Sequence, residues 1–325
     1  NEFKVSKRVS EKINEIKPDC VLAFAFDALI YTDKINFPRL AFQSEGPHIN
    51  ESINLKLKPK INKSLSINYF TYYIKQKLLI RSLQKIYIEL LKRLDITIFN
   101  APHYLKWSIS KGIKNSLYLP TQILDPNLVK THIETINKQP FKILLIGHLR
   151  STNNSSSLPI FFEEILPSMD LFFKKNEYLF NIVGDNKELP SKYQKFKNHN
   201  NLNWKGPVYP ATEEFINSDI LLVPISAKTG PRIRIINGFS FGCCIVAHKA
   251  NKLGIPELKH EENILIGKNG HEIAHQIFRA SKNISLRKKL GKAGRMVYEK
   301  NYKEGTTSKI NKLIEKLLKI EKIDN

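Results

Sequence analysis

The chain has 325 residues, 42% of them hydrophobic, and a net charge of +22 from 52 Lys and Arg against 30 Asp and Glu. That length allows two domains, the composition is globular rather than disordered, and no apolar run reaches the ~20 residues of a membrane-spanning helix. The charge leaves three partner classes open: nucleic acid, an anionic membrane face and an anionic substrate.

Phe3 to Ile16 has helical spacing and is closed by Lys17-Pro18-Asp19. It reads as an amphipathic helix rather than a signal peptide. Cys20 to Phe26 and Pro38 to Phe42 are apolar runs with the look of buried strands, and Gln43 to His48 reads as a polar loop after the second. Leu65 to Leu94 is a long helical stretch with room for an interruption; Asp95–Phe99 reads as a strand, Ala101–Lys111 as a helix and Ser116–Leu119 as a strand. Asp125 to Pro140 lacks a period and reads as a linker.

A second alternation starts at Phe141. Lys142–Ile146 is a strand ending in Gly147-His148-Leu149-Arg150, and Ser151–Ser157 is a loop of Ser, Thr and Asn before a helix with Phe161, Phe162, Ile165 and Leu166. Tyr178–Val183 is a strand followed by Gly184-Asp185, and Leu202–Lys205 is a strand before Gly206-Pro207-Val208. Asp219–Pro224 reads as a buried strand, Ser226–Pro231 as a turn, Arg232–Phe241 as a helix and Cys243–Ala247 as another strand. On that helix Ile233, Ile236, Phe239 and Ser240 share a face, and Arg232 and Arg234 fall in the first turn. Two cations there oppose the helix dipole, so an anion is expected beside them, unless both are simply solvated. The three cysteines, Cys20, Cys243 and Cys244, sit in strand-like runs without paired spacing, which suits buried thiols in a reducing cytosol.

These pieces resemble the group 1 (family 4) glycosyltransferases, whose donor segment reads roughly G-T-G-x-R-x-K-x-L-E-A-M-A-x-G-x-P-V-V-A. Lys228 stands at the first Gly, and Thr229, Gly230, Pro231 and Arg232 follow in register. Arg234 stands where the family has Lys and Asn237 where it has Glu; Gly242, Ile245, Val246 and Ala247 match. Gly147, Asn154 and Phe162–Pro167 are similar to the family's G…N…F-x-e-e-I-l-P, and Leu286–Arg295 to its r-x-x-L-g-x-a-G-r helix. Leu119–Asp125 more loosely resembles i-P-n-x-v-D.

The resemblance implies an α/β fold of two Rossmann-like domains (GT-B), with the N-terminal one incomplete because its first one or two βα units are absent. The expected division is 1–125 for a partial acceptor-side domain, 126–140 for the linker, 141–305 for the nucleotide-sugar domain, and 306–325 for a helix packing back toward the first domain. It implies transfer of a sugar from a nucleotide-diphosphate sugar to a glycan or lipid-linked acceptor, with retention of configuration and without a metal or other cofactor. The alternative is a non-catalytic relative that binds a nucleotide, glycan or polyanion, a reading encouraged by Asn237. An amide there accepts a ribose hydrogen bond but brings no negative charge.

Arg150, Thr229, Gly230, Arg232 and Arg234 are the candidates for the donor diphosphate, because guanidinium forks and backbone N–H groups suit phosphate oxygens. Gly184, Pro207, Val208 and Asn237 are the candidates for the nucleoside. Glu45 and His48 are the acceptor-side catalytic candidates, His48 as the group that orients or deprotonates a hydroxyl. No metal-ligand spacing is readable. Between Lys56 and Arg93, ten basic residues mix with Tyr69, Phe70, Tyr72 and Tyr73, and Glu89 is the lone carboxylate. That pattern suits an anionic membrane surface, peripheral on the inner face of a cell membrane; nucleic acid is the less expected partner, since no nucleic-acid module is readable.

Overall fold

The computed structural model describes residues 2–61, 67–127, 140–149, 151, 154–185 and 189–324. The chain divides into two compact units. The first comprises Asn1–Leu55, Ser66–Gln122 and Gly305–Asn325; the second comprises Lys56–Leu65 and Ile123–Glu304.

In the first unit, α1 (Glu2–Ile16), β1 (Val21–Phe24), α2 (Ala25–Tyr31), β2 (Arg39–Gln43), α3 (Pro47–Ile61, of which the part from Lys56 on counts with the second unit), α4 (Ile67–Lys92), β3 (Ile96–Phe99), α5 (Pro102–Ser110) and β4 (Ser116–Tyr118) follow in order. The four strands pair in parallel in the order β1-β2-β3-β4. Ala23, Ala41 and Phe99 of the sheet, Leu29 of α2 and Tyr87, Leu90 and Leu91 of α4 form its core. The closing helix, Thr306–Asp324, is anchored in this unit by Thr306 Oγ1, which donates to the Pro120 carbonyl at 2.8 Å.

Three elements differ from expectation. The strand after Cys20 is shorter, because the chain turns at Ala25 into α2, a helix whose almost uniformly apolar sequence shows no period. Pro47 opens α3, so His48 lies in a helical first turn and not in a loop; proline suits that position because its missing N–H would be unpaired there anyway. α4 runs unbroken.

The second unit contains β5 (Phe141–Ile146), then short helical pieces Asn154–Ser156, α6 (Ser157–Pro159), a π-wound turn Ile160–Ile165 and α7 (Leu166–Phe172). Pro167 explains the irregular winding: it has no N–H to give to the carbonyl one turn back, and its ring crowds that carbonyl. There follow β6 (Tyr178–Val183), β7 (Leu202–Gly206), α8 (Thr212–Asn217), β8 (Ile220–Val223), α9 (Ile233–Ser240), β9 (Ile245–His248), β10 (Leu265–Gly267), α10 (Gly270–Lys282) and α11 (Ile284–Asn301). The all-parallel sheet has the order β10-β9-β8-β5-β6-β7. Counted within this unit that is 3-2-1-4-5-6 read from the β7 edge, the doubly wound order, whose switch point lies between β5 and β8. Ile143, Leu145, Phe180, Ile182, Leu222 and Val246 of the sheet pack against Phe161, Phe162 and Ile165 on one hand and Ile273 and Ile277 on the other.

Cys243 and Cys244 precede β9 rather than lying in it, and both are buried thiols; Cys20 likewise precedes β1 and is partly buried. The units change over between Gln122 and Ile123. Ile123 exchanges hydrogen bonds with Tyr298 and Tyr302, and Asp125 pairs with Arg295 at 2.7 Å and Lys303 at 3.1 Å. The Arg295 hydrogen bond holds the Asp125 carboxyl well below the usual carboxylate range. Most of the expected linker, 128–139, lies outside the described residues.

Candidate functional site

The switch point places the ends of β5 and β8 side by side, and their polar groups converge there. Gly147, just beyond β5, has φ +128, and a Cβ on it would lie 2.5 Å from the Arg234 guanidinium. Only a residue without a side chain leaves that space, so the strand-end glycine is the floor on which Arg234 rests. Gly184 repeats the device one strand over: its φ is +137 and a Cβ would meet the Gly147 carbonyl oxygen at 2.6 Å. The ladder continues past the strand ends, with Gly147 N–H donating to Val183 and Gly184 N–H to Gly206, each at 2.8 Å.

Asn154 fixes the guanidinium from the other side. Its Oδ1 accepts from Arg234 at 3.0 Å, while its Nδ2 donates to the His148 carbonyl at 2.8 Å. Two residues on, Ser156 Oγ accepts the Ala227 N–H at 3.1 Å and the Ser156 carbonyl accepts from Ser226 Oγ at 3.3 Å. The Asn154–Ser156 turn therefore templates both the arginine and the loop after β8. The far side of that loop is clamped by Gly254, where a Cβ would meet the Gly230 carbonyl carbon at 2.5 Å.

Arg232 caps α9 from an extended conformation, one residue before the helix; it is buried and donates to the Ala227 carbonyl at 2.9 Å. The helix begins at Ile233, and its buried residues are Ile235, Ile236, Gly238, Phe239 and Ser240 while Ile233 faces out. The expected face was therefore one residue out at its start. Arg232 is not solvated, and Arg234 lies in the first turn as expected. Burial, then the charge of Arg232, holds the Arg234 guanidinium down to about 10. Among the described residues no carboxylate lies within ion-pair distance of Arg234. Thr229 is buried, and its hydroxyl has no hydrogen-bond partner among the described residues. Two neighbouring cations, an unsatisfied hydroxyl and the start of α9 together favour an anion with several acceptor oxygens.

The nucleoside candidates are spread along the same edge. Asn237 is half-buried, one turn beyond Ile233. Gly184 is adjacent to Gly147. Pro207 and Val208 follow β7, which is the sheet edge and three strand spacings from β8, about 14 Å. Among the described residues no side-chain hydrogen bond joins Pro207 or Val208 to Arg234. Arg150 lies outside the described residues. Glu45 and His48 belong to the first unit, at the carboxyl end of β2.

His48 is buried, with its ring stacked on Trp107 at 5.5 Å and tilted on Tyr87 at 5.9 Å. Gly46 makes room for this, since a Cβ there would lie 2.6 Å from the Tyr87 ring. Burial pushes the imidazole down to about 4, so it is neutral near pH 7, and its Nδ1 has no partner among the described residues. This packing takes His48 off the surface. Gln43 and Asn100, beside it at the strand ends, are also buried, and Asn100 Oδ1 has no partner among the described residues.

Sequence reasoning aligned Asn154 with a family position but gave it no role, and it passed over Ser156, Gln43 and Asn100. Asn154 sits in a Ser/Thr/Asn loop whose composition reveals no long-range contact.

Residues 140–283 match the family model "Glycosyl transferases group 1". No curated protein matches the chain significantly. Among solved structures, Anabaena HepE in complex with UDP and glucose is similar over 96% of this chain and 80% of its own, at 15% identity and TM-score 0.68. Sucrose-phosphate synthase from Thermosynechococcus elongatus is similar over 98% and 79%, at 13% identity and TM-score 0.71. A glycosyltransferase from Rickettsia africae is similar over 98% and 82%, at 13% identity and TM-score 0.65. The fold is GT-B, with two Rossmann-like domains, and the second unit carries a glycosyl transferases group 1 domain.

Proposed function

We propose that the chain transfers a sugar from a nucleotide-diphosphate sugar to a glycan or lipid-linked acceptor, with retention of configuration. One observation carries this: the half-buried Arg234 lies on the bare backbone of Gly147 at the switch point, braced by Asn154 and with no carboxylate partner among the described residues. In this reading Arg234 and Arg232 take the diphosphate, together with Arg150, the Thr229 hydroxyl and the Thr229-Gly230 amides. As the sugar–phosphate bond lengthens, negative charge grows on the leaving diphosphate, and these preorganised donors stabilise it. They supply the charge compensation, so the reaction as proposed calls for no metal. Asn237 meets the ribose, and Gly184, Pro207 and Val208 border the base. UDP and glucose bound to HepE support a nucleotide sugar as the donor. Retention follows from the family likeness.

On the acceptor side, neutral His48 accepts a hydrogen bond from the incoming hydroxyl through its unpartnered Nδ1, with Glu45 beside it. Asn237 favours a second reading, a non-catalytic binder, because the amide lacks the charge of the family's glutamate. Incubation with a panel of nucleotide sugars separates the two: release of free nucleoside diphosphate that depends on an acceptor supports transfer, whereas tight binding with no turnover supports the binder. Calorimetry with the free diphosphate tests the site itself. Arg234→Ala should weaken binding about 10- to 150-fold, the value of one charge-assisted contact. Arg234→Lys should keep part of it. Unchanged affinity in Arg234→Ala would remove the reading.

A further inference from the structure

α4 is apolar on both of its sides. Tyr87, Leu90 and Leu91 point into the first unit's core. On the outer side, Phe70 (68% exposed), Ile74 (43%) and Leu78 (56%) form a ridge at four-residue spacing, open to solvent. Lys77, Arg81 and Lys85 form the neighbouring ridge at the same spacing, also exposed. The carboxylate on this helix, Glu89, stands near its end and is paired with Lys92 at 3.3 Å. A contiguous apolar ridge on a soluble surface calls for a cover.

We propose that this face of α4 docks on an anionic lipid bilayer. The occupant follows from the chemistry. The apolar ridge matches acyl chains at the headgroup boundary, and the parallel cationic ridge matches lipid phosphates. A second copy of this chain is the wrong cover, since it would set Lys77, Arg81 and Lys85 against their own equivalents. Among the described residues no helix is long and apolar enough to cross a membrane, so the contact is peripheral. This goes beyond the proposed reaction and is tested without donor turnover.

The test is co-sedimentation of the full chain with vesicles of phosphatidylcholine containing phosphatidylglycerol, against phosphatidylcholine alone, at low and high salt. The expected result is binding to the anionic vesicles only, weakened by salt. Lys77→Gln with Arg81→Gln should lower the partition coefficient about 30-fold. Phe70→Ser with Leu78→Ser should remove the binding that survives high salt. These residues are exposed, so the variants should melt like the parent. A Leu78→Trp reporter should blue-shift its fluorescence on the anionic vesicles. Equal binding to both vesicle types, no binding to either, or a concentration-dependent dimer abolished by Phe70→Ser/Leu78→Ser would each overturn the proposal.

Discussion

At the ends of β5 and β8 the polar groups are cations, Arg232 and Arg234, braced by Asn154 and set on glycine backbone. At the ends of β2 and β3 the buried ones are neutral, Gln43, Asn100 and a His48 walled by Tyr87 and Trp107, while the carboxylate of Glu45, just after β2, is half-buried. Both sheets are parallel, and both gather polar side chains where loops leave the carboxyl edge. Sheet geometry thus selects where chemistry is placed, while the lining selects its sign. Glycine floors and arginines suit an anion; aromatic walls that keep an imidazole uncharged suit a hydroxyl. If each lining does what its charge implies, damage to one should leave the other's ligand unaffected.

The largest effect is expected from Gly147→Val. The new side chain needs the space of the Arg234 guanidinium, at a backbone angle that branched residues avoid. Nucleoside diphosphate binding should fall about 100-fold or more, at least as far as in Arg234→Ala, while His48 keeps its titration by NMR. Normal binding in a folded Gly147→Val would break the cationic half of the contrast.

Asn154 sharpens the same half. Asn154→Ala removes one brace and should raise the donor KM about 3- to 10-fold with a smaller change in kcat. Asn154→Asp should bind diphosphate more weakly than Asn154→Ala, because a carboxylate there would hold Arg234 in an ion pair that competes with phosphate. The reverse order in calorimetry would show that Asn154 does not act through the guanidinium.

The neutral half is tested by pH. The folded His48 titrates at about 4, below its ordinary 6.5, so between those values the unfolded chain binds the proton and the folded one does not. Stability from this group is full above pH 6.5 and is lost as pH falls toward 4. Denaturant melts should show that slope in the parent and lose it in His48→Gln. A kcat profile with an acidic limb near 6.5 that vanishes in His48→Gln would mean the ring is not held neutral. The smallest change is expected from Asn237→Glu, a few-fold tightening of free nucleoside, read by calorimetry, if the position faces the ribose.

Much of this was legible in the chain. Ile220–Val223 is a strand buried on both faces, and its continuous apolar run states that directly; Phe141–Ile146 and Tyr178–Val183 are apolar but for exposed Lys142 and buried Asn181. The register Thr229-Gly230-Pro231-Arg232-Ile233-Arg234 also marked the cationic loop. α2 and α3 were not legible: one is a short run apolar but for Asp27, and the other carries Asn, Ser and Pro59 through a weakly patterned run. The contact of Gly147 with Arg234 joins residues far apart in sequence, so no local spacing could reveal it. His48 was visible as a candidate, but its neutrality comes from Tyr87 and Trp107, which tertiary packing brings to it.

α9 is nested against its surroundings by glycine on two sides. A Cβ at Gly238 would strike Leu221 at 2.6 Å, and one at Gly294 of α11 would strike the Phe239 ring at 2.4 Å. Such close backbone approach leaves the helix little room to open, so its amides should be among the slowest in the chain to exchange with deuterium. The arginine it carries then meets its ligand already immobilised. Little ordering entropy is left to lose at that step, and ligand contact should add less exchange protection to α9 than to the loop before it.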